Sequence, residues 1–113
     1  MTRRAAKIDA NQPAIVAAFR AAGATVQHLH AVGAGCPDLL VGHRGANLLV
    51  EVKDGSKAPS ARRLTTDQER WHGDWRGQVA IVETVEDALA LVRVRERLAT
   101  APVPAAYRAE GEA

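Results

Sequence analysis

Apolar and polar positions change period several times along the chain, and each change marks an element. Over residues 11–24, "NQPAIVAAFRAAGA" sets Ile15, Phe19 and Ala22 at helical spacing, with Asn11 or Gln12 as cap, Pro13 in the first turn and Gly23 as the stop. "TVQHLH" then alternates apolar Val26 with polar neighbours, as a strand does, and Gly33 and Gly35 punctuate a loop. Two apolar runs follow, 38–43 and 46–53, with only Arg44 and Gly45 between them. That spacing predicts a β-hairpin. Residues 54–64 have the Gly, Ser and Pro of a mobile loop and carry Lys57, Arg62 and Arg63. From Thr65 the period is helical again, with Trp71 and Trp75 four apart and an end at Gly77. "VAIVET" reads as a short buried strand, and Thr84 to Asp87 has the spacing of a capping box that opens a last helix through Leu89, Val92 and Leu98.

The order helix, three strands, helix, strand, helix is that of an α/β layered domain. A chain of 113 residues supports one modest core and not two. We place the domain at 11–99, after a basic lead-in at 1–10 and before a tail at 100–113 whose Pro, Ala and Glu without periodicity predict disorder. Hydrophobic content of 47% with 25% charged residues is globular. A net charge of +2 does not announce a nucleic-acid binder, and a pI near 9.1 leans only weakly that way. No apolar run follows the first arginines or reaches membrane-spanning length, so the expected location is cytoplasmic and no membrane partner is expected. The single cysteine, Cys36, has no Cys or His at zinc-ligand spacing and reads as a reduced, packed thiol. His28, His30, His43 and His72 share no ligand spacing.

Strand parity gives the hairpin its chemical interest. Side chains two apart share a face, so Glu51 and Lys53 point with Leu49, while Leu48, Val50 and Val52 point the other way. A two-residue turn through Arg44 and Gly45 sets His43 opposite Ala46 and therefore Asp38 opposite Glu51; a three-residue turn would break that register. Opposed carboxylates repel across a strand pair, so losing either should leave the metal-free fold no less stable. A hard divalent cation would offset the repulsion. Lys53, one pleat further on, can neutralise part of the charge, steady a water and meet developing negative charge.

These residues carry a resemblance. Pro37 and Asp38, a strand's length, then Glu51 to Lys53 as "EVK" resemble the PD-(D/E)XK nuclease signature, and the element order is similar to that superfamily's αβββαβ core. The small size and the "L-T-x-x-Q-x-x-W" at Leu64 to Trp71 resemble the stand-alone VRR-NUC type of nuclease domain of phages and bacteria, over about residues 11–92. The resemblance implies a restriction-endonuclease-like α/β fold, with a central mixed sheet flanked by helices. It implies Mg²⁺- or Mn²⁺-dependent endonucleolytic hydrolysis of DNA, as in repair or recombination, without an organic cofactor. Asp38, Glu51 and the backbone carbonyl of Val52 would be metal ligands, and Lys53 would position or activate the attacking water. Gln68 would join Asp38, Glu51 and Lys53 in the catalytic set. Many members add a Glu from the first helix; here the matching position is Gln12, a neutral and poorer ligand.

Blander readings stand beside these. Glu51 and Lys53 could be an exposed pair on an edge strand, Gln68 could simply close a capping box with Thr65, and Trp71 and Trp75 read as core in preference to base-stacking surfaces. Gln68 falls on one helical face with Leu64, Trp71 and Trp75, a face expected to dock on the sheet. Lys57, Arg62 and Arg63 are a solvated loop or a set of phosphate contacts. For the whole chain, the expectation is an endonuclease that cuts by DNA structure and not by base sequence, working as a homodimer on branched or duplex DNA, since one short domain engages few phosphates. The alternative is a non-catalytic nucleic-acid-binding or scaffold module of the same fold, and RNA is a lesser candidate substrate.

Overall fold

Three antiparallel strands and a parallel fourth form the sheet that positions everything else. In the computed structural model, residues 8–97 are described. The expected tail at 100–113, most of the lead-in, Leu98 and the end of the 11–99 domain lie outside the described residues. The elements are α1 (Gln12–Ala21), β1 (Thr25–His28), β2 (Leu39–His43), β3 (Ala46–Val52), α2 (Thr66–Asp74), β4 (Val79–Val82) and α3 (Val85–Arg97), with a 3₁₀ turn at Pro59–Arg62 in the basic loop. This is the αβββαβ order expected, and the strand order is β1-β2-β3-β4. β4 runs parallel to β3, so the connection between them must cross over, and it carries α2.

Helix α1 ends in a Schellman arrangement. Gly23 takes φ 93°, its N–H donates to the Arg20 carbonyl, and the Ala24 N–H donates to the Phe19 carbonyl. Its other end differs from expectation. Asn11 occupies the cap position without capping. Its Nδ2 instead donates to the carbonyls of Lys53 and Glu83, 2.9 Å each, tying the start of α1 to the ends of β3 and β4.

The hairpin turn has the two residues predicted. Arg44 at φ 49° and Gly45 at φ 84° are both left-handed, as a type I′ turn requires. His43 pairs with Ala46 and Leu39 with Val50. Continued by one residue, that register faces Asp38 toward Glu51.

One face of the sheet builds the core. Leu39, Val41, Leu48, Val50, Val52 and Val82 are buried there against Ile15, Val16 and Phe19 of α1 and Ala88 and Val92 of α3. Each Val, Leu, Ile or Phe burial among these contributes roughly 1.5–3 kcal/mol.

On the other face two expectations are corrected. Helix α2 has no buried residue, and its tryptophans are not core: Trp71 is half-buried and Trp75 is 45% exposed. The face that α2 approaches presents Asp38, Glu51 and Lys53, which offer an indole nothing apolar to pack against. Strand β4 is buried only at Val82, because it lies at the sheet edge, where Ile81 is 48% exposed. Helix α2 also ends at Asp74, with Trp75 as its C-cap, ahead of Gly77. At α3 the Asp87 N–H donates to Thr84 Oγ1, but the reciprocal bond to the Asp87 carboxylate comes from the Glu83 N–H, one residue before the cap. Among the described residues no helix is long and apolar enough to cross a membrane.

Candidate active site

Asp38 follows the fully buried Pro37 and precedes β2, and its backbone carbonyl accepts from the Leu29 N–H. Its carboxylate Oδ2 accepts the Val52 N–H at 2.8 Å, which fixes it against the C-terminal end of β3. Glu51 and Lys53 belong to the same strand and its immediate continuation. Asp38, Glu51 and Lys53 are all buried, Glu51 to 1% exposure. The edge-strand reading therefore fails: β3 is interior to the sheet and the pair is out of solvent.

Gln68 joins them. Its Nε2 donates to Glu51 Oε2 at 3.2 Å and its Oε1 accepts from Lys53 Nζ at 2.7 Å. The capping box is equally real: the Thr65 N–H donates to Gln68 Oε1 at 2.9 Å, and the Gln68 N–H donates to Thr65 Oγ1 at 3.2 Å. One amide thus closes the start of α2 and holds together Glu51 of β3 and Lys53 just past its end. Gly35 lets this happen. At φ 82° it runs so close to the first turn of α2 that a Cβ would collide with the Asp67 carbonyl. The loop before Pro37 and the start of α2 are thereby drawn together.

His72 was missed by the sequence reading. Its Nε2 stands 3.8 Å from Glu51 Oε1. The signal was available, because His72 is four residues after Gln68 and so shares its face of α2. Burial, and then the charge of Lys53, hold its pKa below the ordinary histidine value, so it approaches Glu51 as a neutral ring at pH 7.

The electrostatics of the face centre on Glu51. Burial first, then hydrogen bonding to Asp38 and the charge of Asp38, push its pKa from 4.5 up to about 9; Lys53 opposes this and Asp9 adds to it. Burial and the charges of Glu51 and Asp38 also push the Cys36 thiol up, keeping it protonated. Glu51 Oε1 is buried without a hydrogen-bond partner among the described residues, as are both amide atoms of Gln12. Gln12 is buried at the first turn of α1, beside the Asn11 tether.

Among the described residues no three His, Cys, Asp or Glu side chains are grouped to hold a metal ion. The oxygen set Asp38 and Glu51 nevertheless fits a hard divalent cation, which takes one or two carboxylates and completes its shell with water and phosphate oxygens. Glu51 Oε1 offers an unused lone pair, and a cation would favour the ionised form that burial disfavours.

The basic loop is not brought to this face as a free cluster. Lys57 pairs with Asp9 at 3.4 Å and Arg62 with Glu83 at 2.7 Å, while Arg63 is exposed.

An αβββαβ chain with this mixed four-stranded sheet has a restriction-endonuclease-like fold. A solved structure described as "VRR_NUC domain" is 32% identical to the chain, with a TM-score of 0.55, over 73% of this chain and 89% of that one. No family model matches the sequence, and no curated protein matches it. On that structural match and identity, the chain belongs to the VRR-NUC family of nuclease domains.

Proposed function

We propose that the chain is a Mg²⁺- or Mn²⁺-dependent endonuclease that hydrolyses DNA phosphodiester bonds, with Asp38, Glu51, Lys53 and Gln68 as its catalytic set. The observation that carries this reading is the single amide of Gln68 bonded at once to Glu51 and Lys53, on the face that Asp38 shares. Asp38, Glu51 and the Val52 carbonyl would hold the cation, which supplies Lewis acidity toward the phosphate and lowers the pKa of a bound water. Lys53, kept in place by Gln68, carries a fixed positive charge where negative charge develops, and its position is set before substrate arrives. Glu51 must give up the proton that its burial favours, which makes metal binding and proton release one equilibrium. Arg63, with Lys57 and Arg62 exchanging their ion pairs for phosphates, would contact the DNA backbone.

A homodimer acting on branched DNA is the assembly we favour, because two such faces match two antiparallel strands and double the phosphate contacts. The test is a panel of branched, nicked and linear DNAs with Mg²⁺, Mn²⁺ or EDTA, alongside mass by light scattering. Metal-dependent cutting, strongest on junctions and by a dimer, is expected. Cutting that persists in EDTA overturns the metal site. Binding without cutting under any metal leaves the non-catalytic module instead.

A further inference from the structure

The two tryptophans have no place in the core, yet they are not loose. Their rings stack with centroids 4.7 Å apart and planes 17° from parallel. Gly77 leaves the room Trp75 needs, since a Cβ there would stand 2.8 Å from its Nε1. Aromatic side chains normally contribute most when buried, so a fixed indole left 45% exposed awaits something flat. The pair lines an open groove of about 320 Å³ with Ala34, Asp67, Arg70 and Asp74.

This groove adjoins the active face through Trp71, although none of Asp38, Glu51, Lys53, Gln68 or His72 lines it. The Trp71 ring meets His72 edge-on, centroids 5.6 Å apart, and His72 stands 3.8 Å from Glu51. Trp71 and His72 project from α2, which Gln68 bonds to β3, and Trp75 is that helix's C-cap.

We propose that the Trp71–Trp75 pair is a stacking platform for the base of an unpaired nucleotide beside the active face, so that the domain engages single-stranded DNA next to the bond it cuts. The location rests on the nuclease reading above; the stacking chemistry does not. The lining selects this occupant. Asp67 and Asp74 make the groove a poor seat for a phosphate alone, whereas every base presents a π-face to an indole. Arg70 is exposed and in no ion pair among the described residues, which leaves its guanidinium for the adjoining backbone or for the base itself. A base inside a duplex has both faces covered by its neighbours and cannot use the platform.

The experiment measures binding of the full chain to labelled oligothymidylate and to a duplex of equal length, by anisotropy in EDTA so that nothing is cut. Trp75→Ala should weaken single-strand binding on the order of tenfold, Trp75→Tyr much less, and duplex affinity should change far less than single-strand affinity. The protein has only two tryptophans, so saturating oligothymidylate should also quench its intrinsic emission. Unchanged emission of the wild-type protein, unchanged single-strand affinity in Trp75→Ala, or equal losses on single strand and duplex overturn the platform. Hydrolysis by the wild-type protein with metal is scored separately. If it is absent while Trp75-dependent single-strand binding persists, the platform stands as a binding site and the reaction does not.

Discussion

The two faces of β3 are built from alternate residues of one short strand, yet they do opposite things. Leu48, Val50 and Val52 face inward and are packed between α1 and α3; Glu51, and Lys53 just past the strand end, face outward and meet α2 through one amide and one imidazole. The inward face removes apolar area from water and supplies the stability of the domain. The outward face keeps charges out of water, an arrangement that costs several kcal/mol unless each is partnered. Two-residue periodicity lets neighbours in sequence serve these two ends without sharing a contact. Damage to one face should therefore register as unfolding, and damage to the other as lost chemistry.

The sharpest test of that division is the pair of largest effects. Phe19→Ala empties the centre of the inward side, where the ring is 1% exposed, and should lower stability by about 3–5 kcal/mol in a denaturant titration. A loss near 1 kcal/mol would mean that the core lies elsewhere. Lys53→Ala and Glu51→Ala should reduce turnover about 10²- to 10³-fold while the unfolding midpoint moves little or, for Glu51, rises. Lys53→Ala should keep its Mg²⁺ binding by calorimetry. Asp38 breaks the symmetry that the sequence suggested for the two carboxylates. Because its Oδ2 accepts the Val52 N–H, Asp38→Ala strands a backbone donor and should cost about 1–3 kcal/mol in addition to activity. Equal stability of the Asp38→Ala and Glu51→Ala proteins would show that this bond contributes nothing.

Acidity separates the faces next, since only the outward one titrates. Glu51 is neutral more readily folded than unfolded: its pKa is about 9 in the fold against an ordinary 4.5. Its stabilising contribution is therefore complete below about pH 4.5 and is lost as pH rises toward about 9. Within that window the metal-free protein should lose at most about 1.4 kcal/mol per pH unit through this group. Glu51→Gln should flatten the profile. Added Mg²⁺ should bind more tightly as pH rises through the same window, with proton release seen as a buffer-dependent heat. A metal-free stability that is flat from pH 5 to 8 in wild type and variant alike would remove Glu51 from this role.

Which parts of this were readable in the sequence follows from the range of the interactions involved. The αβββαβ order, the two-residue turn and the inward set Leu48, Val50 and Val52 were legible because periodicity and turn chemistry act over a few residues. The meeting of Asp38 with β3 was legible for the same reason, as one register carries it. The tryptophans were misread because helical spacing tells which residues share a face and not what that face meets. Here it meets carboxylates and a lysine. The burial expected of β4 held only at Val82 for a similar reason: an apolar strand does not announce that it is at the edge. Asn11 shows the limit plainly, since its partners are 42 and 72 residues away and no local rule points to them.

The smallest effect divides Gln68 from Thr65, its partner in the capping box. Both supply one arm of the box, so Thr65→Ala and Gln68→Ala should each lower stability by about 1 kcal/mol. Only Gln68 also touches Glu51 and Lys53, through Nε2 and Oε1. Losing it frees the ammonium to swing and strips Glu51 of an Oε2 partner, whereas losing the Thr65 hydroxyl leaves both contacts in place. Turnover should thus fall in Gln68→Ala and hold in Thr65→Ala at matched stability. Gln68→Glu sharpens the comparison further. A carboxylate can still accept from the Thr65 N–H and pair with Lys53, but it cannot donate to Glu51 and opposes the loss of the Glu51 proton that metal binding needs, so the helix start should survive while activity falls. If Thr65→Ala and Gln68→Ala lose the same stability and neither loses turnover, Gln68 is a helix cap and the outward face is held by something else.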